Sequence, residues 1–240
     1  PLLEQNRSST ADIVVKENAD FGVAFDGDFD RCFFFDENGM FVQGEYIVGL
    51  FSNMFLEKEP GATIVHDPRV IWNTQSIVQS KGGIAVQSKT GHAFIKQTMR
   101  MHEAIYGGEM SAHHYFREFA FCDSGIIPCL IILELLSIDN IKLSGLVEKR
   151  EQMFPSSGEI NFDVENPLRC IELITNFYRK KCVSIDTNDG VSIYFKDWRF
   201  NLRGSKTEPL LRLNVETRGN KALLFKQQKA ISNMLLDIGK

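Results

Sequence analysis

The chain has 240 residues, of which 43% are apolar and 24% are charged, and its formal net charge is −4. The apolar content is sufficient for a sizeable core, and the length suits one large domain or several small ones. Without a sustained run of Lys or Arg, the sequence offers no basic surface for nucleic acid or an anionic membrane, so we expect neither as a partner. The longest apolar run, 126–136, is interrupted by Pro128 and Glu134 and is too short to cross a bilayer.

The cysteines and the first residues bear on the compartment. Five cysteines stand at positions 32, 122, 129, 170 and 182 without a Cys-x-x-Cys pair, a pattern typical of free thiols in a reducing cytosol. No signal segment opens the chain, so we predict a cytoplasmic protein. Because the first residue is Pro1 rather than methionine, we expect an interior cut point and hence a longer parent protein.

The first 42 residues predict a helix followed by a hairpin. Residues 7–19 favour a short helix, and 21–25 a buried strand that ends at Asp26. Strand character resumes over 32–35, and the Asn-Gly pair of the turn 36–39 is typical of a hairpin. An acidic loop is therefore expected between two strands.

The middle of the chain alternates between helical and strand patterns. Apolar residues recur at helical spacing from Tyr46 until Pro60-Gly61. Strands are then predicted over 62–66, 84–87 and 104–106, and helices over 73–81, 93–100, 123–136 and 143–150. Such alternation predicts an α/β region with a mostly parallel sheet.

A polar break beginning at Pro155 indicates a domain boundary, after which the strands become shorter and more alternating. Strands are predicted over 191–195 and 199–202, and helices over 167–180 and 221–238. This is an α+β unit of about 85 residues, near the lower end of domain sizes. The sequence thus predicts three segments, 1–42, 43–154 and 155–240.

The loop after the first strand carries three carboxylates at alternate positions. Asp26, Asp28 and Asp30 can converge on one hard cation because Gly27 permits a tight turn, and Arg31 follows directly. We interpret the loop as a divalent-metal site, most suited to Mg2+. A solvated acidic turn is the alternative.

Two other kinds of loop have similar acidic spacing. An EF-hand would need glycine where Arg31 stands and flanking helices rather than strands. A phosphatase of the haloacid-dehalogenase type would use Asp26 as nucleophile, but Asp30 occupies the place of its threonine. Both are disfavoured, and the phosphatase stays open to test.

Two loops of the middle segment have a composition suited to a sugar phosphate. In the sugar loop, 107–113, the small residues let backbone approach a ligand, while Glu109 and Ser111 offer an acceptor and a donor. The loop 88–92 lies between a strand and a helix, where backbone amides favour anions, although Thr90 as a simple N-cap explains it equally well.

Two histidines in these motifs are candidate acid–base groups. His92 or His113 could serve as general acid or base, since imidazole titrates near neutrality. A structural role is the alternative for each.

The C-terminal segment contains a phosphate-binding pattern over 203–209. Arg203, Lys206, Ser205 and Thr207 concentrate cations and hydroxyls beside a glycine, and a guanidinium can grip phosphate with two hydrogen bonds. The glycine spacing does not match a nucleotide P-loop.

Taken together, four motifs in this order resemble the α-D-phosphohexomutase superfamily, and most of all its bacterial phosphomannomutases and phosphomannomutase/phosphoglucomutases. The motifs are Phe-Asp-Gly-Asp-Phe-Asp-Arg (25–31), Ser-Lys-Thr-Gly-His-Ala-Phe (88–94), Gly-Gly-Glu-Met-Ser-Ala-His (107–113) and Arg-Gly-Ser-Lys-Thr-Glu-Pro (203–209). The resemblance implies three related α/β domains with mixed sheets and a smaller α+β C-terminal domain similar to the TATA-binding protein. The chain would hold the end of the second domain and the third and fourth.

The resemblance also implies roles for individual residues. The metal loop would be Asp26, Asp28, Asp30 and Arg31; the sugar would be read by Glu109 and Ser111; the non-reacting phosphate would be held by Arg203, Ser205 and Thr207. Arg69 stands where relatives place a basic residue near the substrate phosphate. Met110 matches the mannose and glucose enzymes rather than phosphoglucosamine mutases.

The implied reaction interconverts mannose 6-phosphate and mannose 1-phosphate for GDP-mannose synthesis. The implied cofactors are Mg2+ and, as activator, glucose 1,6-bisphosphate or mannose 1,6-bisphosphate. The donor phosphoserine of the family lies in an N-terminal domain that this sequence lacks, so that domain is an expected partner and this part alone is expected to be inactive. Phosphoglucomutase activity and a non-catalytic sugar-phosphate-binding fragment are the alternatives.

Overall fold

The computed structural model describes residues 4–139, 141–205 and 210–239, which form two compact units. Unit 1 takes in the residues up to Asp67 together with Asn73–Lys149. Unit 2 consists of Pro68–Trp72 and the residues from Arg150 onward. A short crossing segment, 68–72, is therefore part of unit 2 although its neighbours in sequence are in unit 1.

The first elements form a helix against a small antiparallel sheet. They are α1 (Ser8–Glu17), β1 (Gly22–Phe25), β2 (Cys32–Phe35) and β3 (Phe41–Val42), with the strand order β1-β2-β3. The turn between β2 and β3 is fixed by Asp36, whose Oδ1 accepts the amides of Asn38 and Met40 at 2.8 and 2.9 Å. Gly39 completes the turn with φ 73°. The predicted hairpin around an acidic loop is confirmed.

The rest of unit 1 is an α/β layer structure. Its elements are α2 (Gly44–Lys58), β4 (Thr63–His66), α3 (Trp72–Ser80), β5 (Ile84–Gln87), α4 (His92–Met101), β6 (Tyr106–Gly108), β7 (His114–Phe116), β8 (Cys122–Asp123), α5 (Ile126–Asp139) and α6 (Leu143–Met153). The first residue of α3 and the last four of α6 belong to unit 2. The strand order is β5-β4-β6-β7-β8, with β4 parallel to β5 and β6 and the other pairs antiparallel. The sheet is therefore mixed, which confirms the mixed sheet that the resemblance implies and corrects the mostly parallel sheet that the alternation of helices and strands predicts.

One predicted boundary in this region also differs. The helix expected over 123–136 begins at Ile126, because Asp123 belongs to β8 and pairs with Tyr115. The hairpin and the layers of unit 1 share one apolar core, in which Phe34 of β2, Phe51 of α2 and Tyr106 of β6 are buried.

Unit 2 is an α+β domain, as predicted from its alternating strands. Its elements are β9 (Ile160–Asp163), α7 (Pro167–Tyr178), β10 (Ser184–Asp186), β11 (Val191–Tyr194), β12 (Trp198–Gly204), β13 (Leu210–Thr217) and α8 (Lys221–Ile238). The sheet order is β10-β11-β12-β13-β9, and every neighbouring pair is antiparallel. Both helices start at an asparagine whose side chain accepts a backbone amide, Asn166 for α7 and Asn220 for α8.

Alternate side chains of the sheet build the core of unit 2. Ile193, Phe200 and Leu213 are fully buried and pack with Ile174 of α7 and Ile231 of α8. None of the helices in the described parts of the chain has the length and apolar content needed to cross a membrane.

Candidate functional site

The acidic loop 26–31 joins β1 to β2 and closes on itself. The backbone amide of Arg31 donates to Asp26 Oδ1 at 3.1 Å, and the Arg31 Nε donates to Asp26 Oδ2 at 2.6 Å. Phe29 adopts a left-handed backbone conformation with φ 62°, and its side chain is exposed. Because this conformation is unfavourable for a non-glycine residue, the tight turn stores local strain.

Three carboxylates meet in this loop. One oxygen each from Asp26, Asp28 and Asp30 lies within 4.8 Å of the others. Oxygen donors at this spacing are what hard divalent cations such as Mg2+ require. The residues present therefore fit the cation expected from the sequence.

The carboxylates of the acidic loop influence one another. Burial pushes the pKa of Asp26 upward, but hydrogen bonds from Arg31 and Asp30 outweigh it, and the pKa of Asp26 lies below its ordinary value. Burial and the neighbouring Asp26 instead raise the pKa of Asp30. The loop thus concentrates negative charge that a bound cation would stabilise.

Gly125 supports the acidic loop from behind. Its amide donates to the carbonyl of Phe29 at 3.1 Å. A Cβ at this buried position would lie 2.7 Å from the carbonyl oxygen of Phe29 and 2.9 Å from that of Arg31. Arg31 also forms an isolated antiparallel bridge with His113 of the sugar loop. The acidic loop is therefore held between the start of α5 and the sugar loop.

Glu109 of the sugar loop is buried, with 1% of its surface exposed. Its Oε1 accepts the Gly91 amide at 3.0 Å, and its Oε2 accepts the Tyr115 hydroxyl at 2.7 Å. The first contact brings the loop 88–92 beside the sugar loop. Because both oxygens are held by donors, the fold itself sets the orientation of this carboxylate.

Asp67 and Gly44 fix the sugar loop at Met110, and the sequence patterns indicated neither residue. Asp67 is buried, and its Oδ2 accepts the Met110 amide at 2.8 Å. A Cβ on Gly44 would overlap the Met110 carbonyl, so α2 can begin this close to the loop only with glycine there. The available signal was the position of Asp67 directly after β4, since polar residues collect where parallel strands end.

His113 links the sugar loop to the acidic loop. Its Nε2 lies 3.2 Å from Asp30 Oδ2, and its Nδ1 lies 3.4 Å from Glu109 Oε2. Asp30, His113 and Asp123 also offer ligand atoms within 4.8 Å of one another, while Asp123 pairs with Lys96 at 2.7 Å. The imidazole thus stands between two predicted motifs.

The adjacent His114 is fully buried and has a different environment. Its Nδ1 lies 2.7 Å from the Tyr106 hydroxyl, and burial lowers the pKa of His114 to about 3. It is neutral at physiological pH and belongs to the core. Of the two neighbouring histidines, His113 is therefore the one whose side chain lies beside the predicted site residues Asp30 and Glu109.

Ser111 and His92 are the remaining predicted residues of unit 1. Ser111 is half-buried, with its Oγ 3.4 Å from Nδ1 of His113. His92 is the first residue of α4 and is exposed. Gly91 occupies the N-cap position of α4 without a side-chain cap, so Thr90 is not the N-cap that the simpler interpretation required.

The two predicted phosphate-binding arginines lie beside the same carboxylate in unit 2. Arg203, at the end of β12, is 7% exposed, and its Nη2 lies 3.2 Å from Glu159 Oε2. Arg69, in the crossing segment 68–72, is 3% exposed, and its Nη1 lies 3.6 Å from the same oxygen. The structure thus brings together side chains that are 134 positions apart in the sequence.

The loop that follows Arg203 is described only in part. The amide of Ser205 donates to the carbonyl of Leu210 at 2.8 Å, so hairpin pairing continues into the start of the loop. Thr207 lies outside the described residues.

A cavity of about 600 Å³ lies in another part of unit 1. It is bordered by the end of α1, the turn after β2 and the α5 helix, with Phe21, Glu37 and Leu136 in its wall. None of the predicted site residues that the structure describes lines this cavity, so we place the candidate site at the loops above.

Two family models match consecutive parts of the chain. "Phosphoglucomutase/phosphomannomutase, alpha/beta/alpha domain III" matches residues 43–154, and "Phosphoglucomutase/phosphomannomutase, C-terminal domain" matches 159–234. The chain is also similar to "Phosphohexose mutases" of Xanthomonas campestris pv. campestris (strain B100), with 56% identity over 235 residues. It is 53% identical over 235 residues to a phosphomannomutase of Escherichia coli (strain K12). Each alignment covers 98% of this chain and 52% of the relative, so the chain spans about half the length of these relatives.

Solved structures agree with this similarity. A phosphoglucomutase/phosphomannomutase family protein of Burkholderia thailandensis superposes with a TM-score of 0.81 at 26% identity, covering 98% of this chain and 50% of that one. A putative phosphomannomutase of Thermus thermophilus superposes with a TM-score of 0.75 at 19% identity, covering 96% and 50%, which supports the fold alone. The predicted α/β fold with an α+β C-terminal domain is confirmed.

Proposed function

Because the chain belongs to the phosphoglucomutase/phosphomannomutase family, we propose that the longer protein interconverts mannose 6-phosphate and mannose 1-phosphate through a hexose 1,6-bisphosphate. This makes it an intramolecular phosphotransferase of the isomerase class. The convergence of Asp26, Asp28 and Asp30 on one point, in a loop joined to the sugar loop, carries the proposal. The phosphomannomutases to which the chain is similar support the choice of mannose.

The acidic loop is the proposed Mg2+ site, with Asp26, Asp28 and Asp30 as the ligands. When bound there, the cation supplies Lewis-acid stabilisation of the charge on a transferring phosphoryl group. Arg31 keeps Asp26 ionised through its two hydrogen bonds and adds a positive charge beside the site.

The sugar loop is proposed to recognise the hexose. Glu109 presents a carboxylate of fixed orientation to the sugar hydroxyls, and Ser111 supplies a hydroxyl that can donate or accept. His113, between Asp30 and Glu109, is the proposed general acid or base, because it can exchange a proton with a hydroxyl held at the sugar loop. His92 stays a prediction for the same role.

The non-reacting phosphate is proposed to bind in unit 2 through Arg69, Arg203 and Ser205, with Thr207 retained from the sequence. The phosphoryl donor is proposed to be a phosphoserine in the part of the relatives' length that this chain does not cover. Glucose 1,6-bisphosphate or mannose 1,6-bisphosphate is the proposed activator. Supply of mannose 1-phosphate for GDP-mannose synthesis, in the cytoplasm, completes the proposal.

The test is the Asp28→Ala variant of the full-length protein, assayed with mannose 1-phosphate, glucose 1,6-bisphosphate and varied Mg2+. Loss of one exposed carboxylate ligand is expected to lower Mg2+-dependent turnover by at least about 100-fold. Asp20→Ala, which removes an exposed carboxylate outside the loop, is the matched control and should keep wild-type turnover. Full activity in Asp28→Ala would remove the metal-loop assignment.

Phosphoglucomutase activity is a second candidate, favoured by the 56% identity to proteins named phosphohexose mutases. Comparing kcat/KM for mannose 1-phosphate and glucose 1-phosphate separates a dual enzyme from a mannose-specific one. The 240-residue chain alone is expected to show no turnover even with the bisphosphate. Turnover by this chain would place a donor within it, and sugar-phosphate binding without turnover by the full-length protein would favour a non-catalytic binding protein.

A further inference from the structure

Tyr115, in the middle of β7, contacts two of the predicted site residues. Its side chain is fully buried, and its hydroxyl donates to Glu109 Oε2 at 2.7 Å. Its ring stacks on the imidazole of His113, with the ring centroids 6.1 Å apart and the planes inclined by 25°. One buried side chain thus contacts both the carboxylate of the sugar loop and the histidine that links this loop to the acidic loop.

The sheet of unit 1 fixes the position of the Tyr115 side chain. Tyr115 pairs with Gly107 of β6 on one side and with Asp123 of β8 on the other. Its ring packs with Ile95 and Met99 of α4 in a small apolar cluster. Because the strand is paired on both edges and the ring is packed against a helix, the hydroxyl is held in place before any ligand arrives.

A charged pair adds a further restraint on the ring. The Lys96 Nζ lies over the ring of Tyr115, 5.8 Å from its centroid, and is attracted to the aromatic face. The same Nζ lies 2.7 Å from Asp123 Oδ1, so Lys96 is itself held on the sheet. The ring is therefore restrained by contacts from α4 as well as from its own sheet.

The Tyr115 hydroxyl acts as a donor toward Glu109. Burial and the negative charge of Glu109 raise the pKa of Tyr115 far above its ordinary value, so the hydroxyl keeps its proton at physiological pH. A hydrogen bond to a charged group is roughly twice as strong as one between neutral groups. The contact therefore holds Oε2 of Glu109 in one direction.

This contact has a different origin from that of the Gly91 amide, which donates to the other oxygen of Glu109. Gly91 belongs to a loop that precedes α4, whereas Tyr115 belongs to a strand that is paired on both edges. A carboxylate that is oriented before the hexose arrives loses less conformational entropy on binding. The strand is thus the more rigid of the two supports.

We propose that Tyr115 is a positioning residue for sugar recognition, whose hydroxyl orients Glu109 toward the hydroxyls of the hexose. Tyr115 is itself buried and acts through Glu109. The inference deepens the proposed function, and the identity of the ligand as a hexose phosphate rests on that function.

Tyr115→Phe removes the hydroxyl and keeps the ring. Titration calorimetry of the full-length protein with mannose 6-phosphate, without Mg2+ so that no turnover accompanies binding, is expected to show affinity reduced about tenfold. Inorganic phosphate carries no sugar hydroxyls, so its affinity should stay at the wild-type value. Because phenylalanine still stacks on His113, KM should rise in the turnover assay while kcat stays near the wild-type value.

Tyr106→Phe is the matched control. Tyr106 lies on the neighbouring strand β6 and is also fully buried, and its hydroxyl lies 2.7 Å from Nδ1 of the core residue His114. Both variants lose one buried hydrogen bond of a tyrosine, but only Tyr115→Phe should weaken mannose 6-phosphate binding. Equal losses of affinity in the two variants would assign the effect to the sheet as a whole and overturn the inference.

A double-mutant cycle tests whether the hydroxyl acts through the carboxylate. In a Glu109→Ala background there is no carboxylate to orient, so adding Tyr115→Phe should reduce mannose 6-phosphate affinity no further. Losses that add would show that Tyr115 acts independently of Glu109. If Glu109→Ala does not fold, the comparison of Tyr115→Phe with Tyr106→Phe decides.

The outcomes of this inference and of the proposed function are distinct. Wild-type mannose 6-phosphate affinity in Tyr115→Phe, in a full-length protein with mutase turnover, overturns the inference and leaves the function intact. Binding that is weakened in Tyr115→Phe but not in Tyr106→Phe, in a full-length protein without mutase turnover, supports the inference and overturns the function.

Discussion

The acidic loop of unit 1 takes its three carboxylates from six consecutive residues. In unit 2, by contrast, Glu159 lies 3.2 to 3.6 Å from guanidinium nitrogens of Arg69, Arg203 and Arg212, which are far apart in the sequence; we call these four residues the arginine cluster. The loop depends on one hairpin and on Gly125 behind it.

The cluster depends on paired strands and on a buried ion pair between Arg199 and Glu216, whose side chains meet at 2.7 Å. Arg199 donates to the carbonyls of Pro68 and Arg69, and Glu216 accepts the amides of Ile71 and Trp72, so the pair clamps the crossing segment 68–72. We therefore expect changes in the loop to alter chemistry while the fold persists, and changes beneath the cluster to alter chemistry and stability together.

The largest expected effect is that of Glu216→Ala, which leaves Arg199 buried without its carboxylate. Removing one partner of a buried ion pair costs about 3–5 kcal/mol in the free energy of unfolding. Both tryptophans, Trp72 and Trp198, lie in unit 2, so urea unfolding followed by tryptophan fluorescence reports on this unit.

Glu165→Ala, at an exposed position, is the stability control for that experiment and should keep the wild-type midpoint. Asp28→Ala in the acidic loop should also keep this midpoint, although it is expected to lower Mg2+-dependent turnover. A wild-type midpoint in Glu216→Ala would show that the ion pair does not hold the crossing segment. It would also contradict the expectation that the two regions differ in how much they contribute to stability.

The next effect is that of Gly125→Ala, which is directed at the acidic loop. The new Cβ would lie closer to the carbonyls of Phe29 and Arg31 than side chains ordinarily approach, and such overpacking costs about 1–3 kcal/mol. The loop must shift, so Mg2+-dependent turnover of the full-length protein should fall while the tryptophan transition of unit 2 stays unchanged.

Gly145→Ala in α6 is the matched glycine control for unit 1. Its Cβ would meet only Ile141 at 3.9 Å, and alanine favours a helix over glycine, so activity should be retained. Equal activity in the two variants would mean that Gly125 does not set the position of the acidic loop.

The smallest effect concerns a contact away from both sites. Ser144 donates to Glu37 through its hydroxyl at 2.5 Å and its amide at 3.3 Å. Burial pushes the pKa of Glu37 upward, but these hydrogen bonds outweigh it, so the pKa lies below its ordinary value. Ser144→Ala is expected to lower the free energy of unfolding of unit 1 by about 1 kcal/mol at neutral pH.

The pH dependence of that loss follows from the direction of the shift. A lowered folded-state pKa stabilises the fold above the ordinary carboxyl value, and this contribution disappears as the pH falls through the folded-state pKa of Glu37. The difference between Ser144→Ala and wild type should therefore shrink on acidification, measured by circular dichroism of urea unfolding. A difference that stays constant with pH would assign the effect to packing.

The difference between local and long-range contacts also explains which features could be predicted from the sequence. The acidic loop, its flanking strands and the helices of both units follow from local patterns, because glycine, alternating carboxylates and apolar periodicity act over a few residues. The sequence pattern does not predict the short strands β7 and β8, because a strand of three residues and one of two are too short to show an alternation. Asp123 was assigned to a helix because its pairing with Tyr115 depends on a neighbouring strand.

The residues that support the predicted site residues could not be predicted from local patterns, because their contacts are with residues distant in the sequence. Glu159 stands just after a polar break, and only the folded sheet shows that its carboxylate lies beside Arg203 and Arg212. Gly125 looks like an ordinary helix-start glycine until the carbonyls it faces are known. The predicted roles of the site residues themselves stay predictions for the experiments above.

The clamp on the crossing segment also limits how this protein can change in evolution. The hydrogen bonds from Arg199 and Glu216 to 68–72 all go to backbone atoms, so most side chains of that segment can vary without loss of the clamp. Proline at 71 or 72 is the exception, because it would remove an amide donor. The ion pair has less freedom, since a single substitution passes through an ancestor with a buried, uncompensated charge. The two positions are therefore expected to covary.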